Sequence, residues 1–172
     1  DALNFIRSNF TLSESLIQYT FADGLDGDFC SGEIKNSTFK NTNNDCIDFS
    51  GSTISIKNCD INNAGDKAIS GGEKSNISIE NIMVNNANIG VASKDLSKIN
   101  IKSSSFNNIN IVYAAYQKKA EYGPAIIKSH FSNHKKYKRR NLIDLGSEIY
   151  EGKNKSTGKN KINIELLYQN FK

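Results

Sequence analysis

Between Asp45 and Gly65 the chain reads DCIDFSGSTISIKNCDINNAG, and variants of this phrase return along the sequence. DGLDGDFCSGEIKNSTFKNTN starts at Asp23, KAISGGEKSNISIENIMVNNAN at Lys67 and GVASKDLSKINIKSSSFNNIN at Gly90. Weaker copies start at Asp1 and Val112, so successive starts lie 22, 22, 22, 23 and 22 residues apart. A fixed period of this length marks a chain that stacks one supersecondary unit on the next, each copy covering the apolar face of its neighbour.

Three columns stay apolar through the copies: Leu25, Ile47, Ile69, Ala92, Ala114; Ile34, Ile56, Ile79, Ile101, Ile126; and Phe39, Ile61, Val84, Phe106, Phe131. Polar and apolar residues alternate around them, as in Ser55-Ile56-Lys57, which is strand periodicity rather than helical. Three short strands per 22 residues predict an all-β, single-stranded right-handed parallel β-helix of about six to seven rungs. A fourth column reads Asn41, Asn63, Asn86, Asn108, Asn133, with Tyr19 at its start. Stacked amides hydrogen-bond from rung to rung, and Asn tolerates the left-handed backbone of a tight corner.

With this period, the Asn column and phrases such as IKNCDINNAG, the stretch from Ala2 to Phe131 resembles the pectate-lyase-like superfamily of right-handed parallel β-helices. GDKAIS, GEKSNISIEN and AAYQKKAEYGPA further resemble β-helical domains of bacterial surface or secreted proteins, some found beside spore-coat-type kinase-like domains. NNDCIDFSGS resembles the Asp-Asp-Cys-Ile strand of polygalacturonases, but Asn44 replaces the first Asp. Gly65-Asp66-Lys67-Ala68 stands where those enzymes carry Gly-His-Gly, and no Arg-Ile-Lys follows, which argues against that hydrolase. The resemblance implies a fold and an extracellular or cell-envelope setting, and transfers no residue role.

At 172 residues the chain reads as one domain, 1–172: rungs over 1–131, then a basic loop at 132–141, a last rung at LIDLGSEIYEG, a polar loop at 153–161, and a final strand or cap from Ile162 to Phe171. In the last rung Ser147-Glu148-Ile149 matches Ser75-Asn76-Ile77. The abrupt first rung reads as a domain excised from a larger chain, with adjacent domains as partners. No apolar run reaches membrane-span length. Acidic residues lean toward the first rungs (Asp23, Asp26, Asp28, Asp45, Asp48) and basic ones toward the end (Lys135, Lys136, Lys138, Arg139, Arg140). The basic cluster suits a polyanion or a solvated turn, and no nucleic-acid-binding motif accompanies it. Cys30, Cys46 and Cys59 fit no disulfide framework, and two histidines without paired cysteines fit no zinc site.

Chemistry is expected on the outward face of the first strand, in the column Asn4, Asp26, Asp48, Ser70, Ser93, Ala115. Rungs ~4.8 Å apart stack Asp26 on Asp48, with Asp28 on the same face and Asp95 as its counterpart two rungs beyond Asp48. Like charges this close raise one pKa or recruit a cation. This predicts either a carboxylate acid/base pair or a calcium site of Asp26, Asp28 and Asp48. Equally, such Asp residues cap backbone amides, the stronger reading for Asp23 and Asp45. A lyase or epimerase would draw on Lys94, Asp95, Tyr116, Lys118 or Lys119 for its base and charge neutraliser. Aromatic faces for a sugar are sought at Tyr113, Tyr116 and Tyr122. The expected function is a surface module presenting a long face to polysaccharide or a neighbouring domain. The rivals are an enzyme acting on an acidic polymer through Asp26, Asp48, Lys94 and Tyr116, and a structural spacer.

Overall fold

A computed structural model describes residues 1–169. Its first turn holds β1 (Leu3–Ile6), β2 (Asn9–Ser13) and β3 (Leu16–Thr20), and its second β4 (Leu25–Asp28), β5 (Ser31–Lys35) and β6 (Thr38–Thr42). Then follow β7 (Ile47–Ser50), β8 (Thr53–Lys57), β9 (Asp60–Gly72), β10 (Asn76–Glu80), β11 (Met83–Lys94), β12 (Lys98–Lys102), β13 (Ser105–Tyr116), β14 (Ile126–His130), β15 (Asn133–Ile143) and β16 (Glu148–Glu151). From β9 on, the third strand of one turn runs without a break into the first strand of the next. β17 (Asn154–Thr157) and α1 (Ile164–Gln169) close the described chain, so the segment expected at Ile162–Phe171 contributes a short helix, and its last two residues lie outside the described ones.

Strands one turn apart pair in parallel, giving a nine-stranded sheet that wraps one corner and an eight-stranded sheet opposite. Among the described residues only β16–β17 pairs antiparallel. The result is a parallel β-solenoid of about seven turns, as the period predicts. Its core is the strip of inward side chains, with Leu25, Ile34, Phe39, Ile47, Ile56, Ile61 and Ile69 all fully buried.

Two kinds of polar column hold the corners. The expected Asn ladder is present: Asn63 Nδ2 donates to Asn41 Oδ1 (2.7 Å), Asn86 to Asn63 (2.8 Å) and Asn108 to Asn86 (2.6 Å). All four sit at φ between 56° and 61°, where Asn costs less than most residues. A second ladder, Asn36–Asn58–Asn81, holds another corner. The other kind is serine: the Oγ of Ser52, Ser75 and Ser97 accepts the backbone N–H of Cys30, Ser52 and Ser75, each one rung earlier. Ser147 does the same for Ala125, so the last rung falls where its Ser-Glu-Ile phrase predicts. The serine column is readable as a repeat of Ser at one phase, but Ser is so frequent here that phase alone did not single it out.

Several columns end differently from the expectation. Ile69 pairs with Val91 and Val91 with Tyr113, so Ala92 and Ala114 face outward, while Ser93 and Ala115 face in. The extra residue of the 23-residue interval sits in the corner at 73–74 and is given back at the next corner, where the register shifts between Ala87 and Ile89. The first strand therefore keeps a spacing of 22, and Asp95 is displaced from the Asp28 column, which continues through Ser50. The rung from Val112 also carries an insertion after Tyr116, which delays the following strands by three residues relative to the columns read from the sequence. Ile101 pairs with Ser129 and Phe106 with His134, leaving Ile126 half-buried and Phe131 88% exposed. The ladder position after Asn108 is accordingly Lys136, at φ 50°, and not Asn133. Hydrophobicity matched Ile126 and Phe131 to the wrong phase because both lie three residues before the true positions.

The basic segment at 132–141 is a strand, β15, rather than a loop, and the polar segment at 153–161 contains β17. Lysines along β15 serve as charge on a sheet edge that would otherwise invite pairing with another chain. His134 fills the core position at this end, stacked on Phe106 and hydrogen-bonded to the Tyr113 hydroxyl (2.9 Å). Burial, assisted by Arg140, lowers its pKa below the ordinary value. All three cysteines are buried and free, so they pack as small apolar side chains.

Candidate functional site

Two regions concentrate polar side chains. The first is the outward face of the first-strand column. Asn4, Asp26, Asp48 and Ser70 stack in register, and Asn4 Nδ2 donates to Asp26 Oδ2 (2.9 Å). Lys94, in register with Tyr116, reaches back two rungs to Asp48 Oδ1 (3.4 Å). Asp26 stacks on Asp48 and Lys94 lies beside Tyr116, the two pairings that the period implies, and the Lys94–Asp48 contact joins the pairs. It adds Lys67, whose ammonium lies 3.1 Å from Asp45 Oδ1 and also contacts Asp66. Lys67 escaped the sequence reading because it opens a repeat at a corner, where a Lys is ordinarily solvated.

The C-terminal segment roofs this face. Ile89, Ala92, Ile111, Ala114, Tyr116 and Leu142 form a second apolar cluster outside the solenoid, covered by Leu167 of α1 with Ile162 and Ile164. Tyr168 hydrogen-bonds the buried Tyr116 hydroxyl (2.9 Å), and its ring lies 5.0 Å from the Lys67 ammonium. Lys94 and Tyr116 are therefore sealed in, which explains why the outward Ala92 and Ala114 are apolar.

Electrostatics separate the carboxylates. Burial raises Asp26, and Asp28, Asp48 and Asp23 add to the effect. Burial also acts to raise Asp48, but Lys94, with Lys67 behind it, outweighs this and holds Asp48 below the usual range. Asp45 is pushed up to about 7 by burial, against the pull of Lys67. Burial opposes the charge on Lys67 and on Lys94, yet Asp45 and Asp48 respectively prevail and raise both ammonium pKa values.

Carboxylate oxygens of Asp23, Asp26 and Asp48 lie within 4.8 Å of one another. Asp23, not Asp28, is the third member: Asp28 is in register with Ser50 and outside this triad. Calcium takes six to eight oxygens, waters included, and would have to draw these carboxylates from partners they already hold. Asp48 is already neutralised by Lys94, and Asp26 is turned to the Asn4 amide. Asp23 Oδ1 accepts the Asp45 amide (2.9 Å) and the Asn44 side chain (2.7 Å), while Asp45 Oδ1 accepts the Lys67 amide (3.0 Å). Asp23 and Asp45 thus cap the backbone of the following rung. Asp95 is likewise a cap, accepting the Lys118 and Lys119 amides (2.7 and 2.8 Å). Lys119 pairs with Glu73 at the surface.

The second region is a groove of about 740 Å³ along the corner that carries the Asn ladder. Asn41, Asn63, Asn86 and Asn108 form its length, Asn88 and Asn110 flank them, and Tyr19 and Phe21 stand at the first-rung end. Among the described residues its lining carries no charged side chain. Asn63 and Asn86 each spend one N–H and one oxygen lone pair on their ladder neighbours, which leaves a second N–H and a second lone pair on each, while the end members Asn41 and Asn108 spend one group only. Tyr19 is 74% and Phe21 93% exposed, so both rings are free to stack on a ligand. The aromatics sought in the last rungs are not available: Tyr113 and Tyr116 are fully buried, and the Tyr122 hydroxyl donates to Glu73 of the corner at 73–74 (3.4 Å).

Among the described residues no helix is long and apolar enough to cross a membrane. Compared with known protein families, curated proteins and solved structures, the chain matches none. Membership of the pectate-lyase-like superfamily therefore stays a resemblance, and what the strands and their register show is a parallel β-solenoid.

Proposed function

We propose that this solenoid is a surface or secreted module that binds an uncharged polysaccharide lengthwise in the amide-lined groove. The observation that carries the reading is the groove itself: a charge-free row of amides at the ~4.8 Å rung spacing, ending in two exposed aromatic rings. Paired donors and acceptors suit sugar hydroxyls, and aromatic faces suit the apolar faces of pyranose rings. An extracellular or cell-envelope location follows from this reading, because such polymers lie there. Affinity electrophoresis through a panel of neutral polysaccharides tests it. Tyr19→Ala/Phe21→Ala should weaken retention about 10-fold or more, given ~0.5–1.5 kcal/mol per aromatic contact plus the buried area. Folded protein retained by none of the polymers would leave a spacer role.

A second reading rests on Asp26 and Asp48, adjacent carboxylates whose pKa values are pushed apart, the pattern of an acid and a base. Turnover of an acidic polymer that falls at least ~100-fold in Asp26→Asn would establish it. The sealed positions of Lys94 and Tyr116 weigh against it, since neither reaches a polymer lying on the face. Turnover unchanged in Asp26→Asn would remove this pair from consideration.

A further inference from the structure

The charge of the solenoid is strongly polar along its axis. Residues 1–66 carry ten Asp and Glu against four Lys and Arg, whereas residues 128–161 carry ten Lys and Arg against three Asp and Glu. The basic end is concentrated on β15, where Lys135, Lys136, Lys138, Arg139 and Arg140 are all exposed. Among the described residues only Arg140 of these five makes an ion pair, with Glu151 (2.9 Å). The row continues into a cleft of about 420 Å³ between β15 and the segment 157–162. Arg139, Asn141, Thr157, Lys159 and Lys161 contribute its polar wall. Arg139 Nε donates to the Asn141 carbonyl (2.9 Å), which fixes the guanidinium and leaves its terminal nitrogens free of that bond. Lys161 is committed to Asp144 (3.2 Å), so the charge on offer is that of Arg139 and Lys159.

Edge protection accounts for lysines on β15 but not for a cleft with a positioned arginine at the end of the row. We infer that the β15 edge and this cleft form a second binding site, for a glycan bearing phosphate or sulfate esters. An ester oxyanion presents three terminal oxygens and matches the guanidinium fork, an ammonium and the Thr157 hydroxyl together, where a carboxylate presents two. The unpaired cations upstream then meet further ester groups along the polymer. A single-stranded nucleic acid is disfavoured because it stacks successive bases on several aromatic platforms, whereas the row 135–140 offers a single ring, Tyr137, 43% exposed and edge-on to His134. The site shares no residue with the Asn groove and does not depend on it.

Fluorescence anisotropy with labelled dextran sulfate, dextran phosphate, uncharged dextran and a single-stranded DNA oligonucleotide tests the inference at about 0.15 M salt. The expected result is binding of one or both ester dextrans, weakening with salt, and none of uncharged dextran at this site. Arg139→Gln/Lys159→Gln should lower that affinity about 10-fold with the thermal midpoint unchanged. Lys159→Gln alone, on an exposed loop, keeps the test open if the double variant misfolds. Tyr19→Ala/Phe21→Ala should retain full affinity for the ester dextrans, which separates failure of this site from failure of the groove. Which ester binds more tightly identifies the group recognised. Equal affinity in the variants, no binding of either ester dextran, or tighter binding of DNA than of both would overturn it.

Discussion

Lys67→Met should destabilise the protein by about 3–5 kcal/mol at pH 8, the usual cost of leaving a buried carboxylate without its partner. Lys67 and Asp45 are both nearly inaccessible to water, and the ammonium also serves Asp66, so no solvent replaces it. At ~2–4 °C per kcal/mol for a chain of this size, the thermal midpoint should drop by roughly 10 °C. The loss should shrink on acidification. Asp45 in the folded protein titrates near 7, above its unfolded value, so the folded state is favoured by protonation and loses stability as pH rises through 7. Removing Lys67 moves that titration higher still, so at pH 6 the variant should recover much of the deficit. Asp45→Asn in the Lys67→Met background should also recover part of it, because an amide oxygen can still accept the Lys67-position amide. A deficit under 1 kcal/mol, or one independent of pH, would show that the cluster is hydrated rather than sealed by α1.

Phe49→Ala should cost a comparable 3–5 kcal/mol, for a packing reason. The inward column to which Phe49 belongs reads Phe5, Gly27, Phe49, Gly71, Ser93, Ala115. The Phe49 ring leans across the preceding rung, where a Cβ on Gly27 would lie 2.4 Å from it, and approaches Phe10 at 6.2 Å. Gly27→Ala should therefore destabilise the wild type by about 1–3 kcal/mol through overpacking. In the Phe49→Ala background the same change should be neutral or stabilising, because the added methyl enters vacated space. A double-mutant cycle by urea unfolding reads this coupling, and additive effects would mean that Gly27 is required for its backbone rather than for room.

Much of the fold was legible because a solenoid writes its architecture as a period. Each rung repeats one burial pattern, so the alternation around Ile56 and the recurrence of Asn41, Asn63 and Asn86 predict strands, stacking and ladder together. Legibility failed where two phase errors cancel. The residue added near Glu73 and Lys74 is given back before Ile89, and counting along the sequence cannot see where a corner tightens. It failed again after Tyr116, since an insertion of unknown length lets any nearby hydrophobe, here Ile126 or Phe131, pose as the core position.

For the candidate sites, the sequence by itself determined that Asp26 stacks on Asp48 and that Lys94 precedes Tyr116 by one rung, because both follow from register alone. Only the tertiary structure decided what those residues face. The C-terminal segment returns over the outward surface of β11, β13 and β15, burying Lys94 and Tyr116 and leaving the open groove at the Asn corner, beside Tyr19 and Phe21. No local pattern near Asp26 or Tyr116 encodes that return. A roof from a segment some fifty residues away reverses inside and outside without changing a single residue of the repeat.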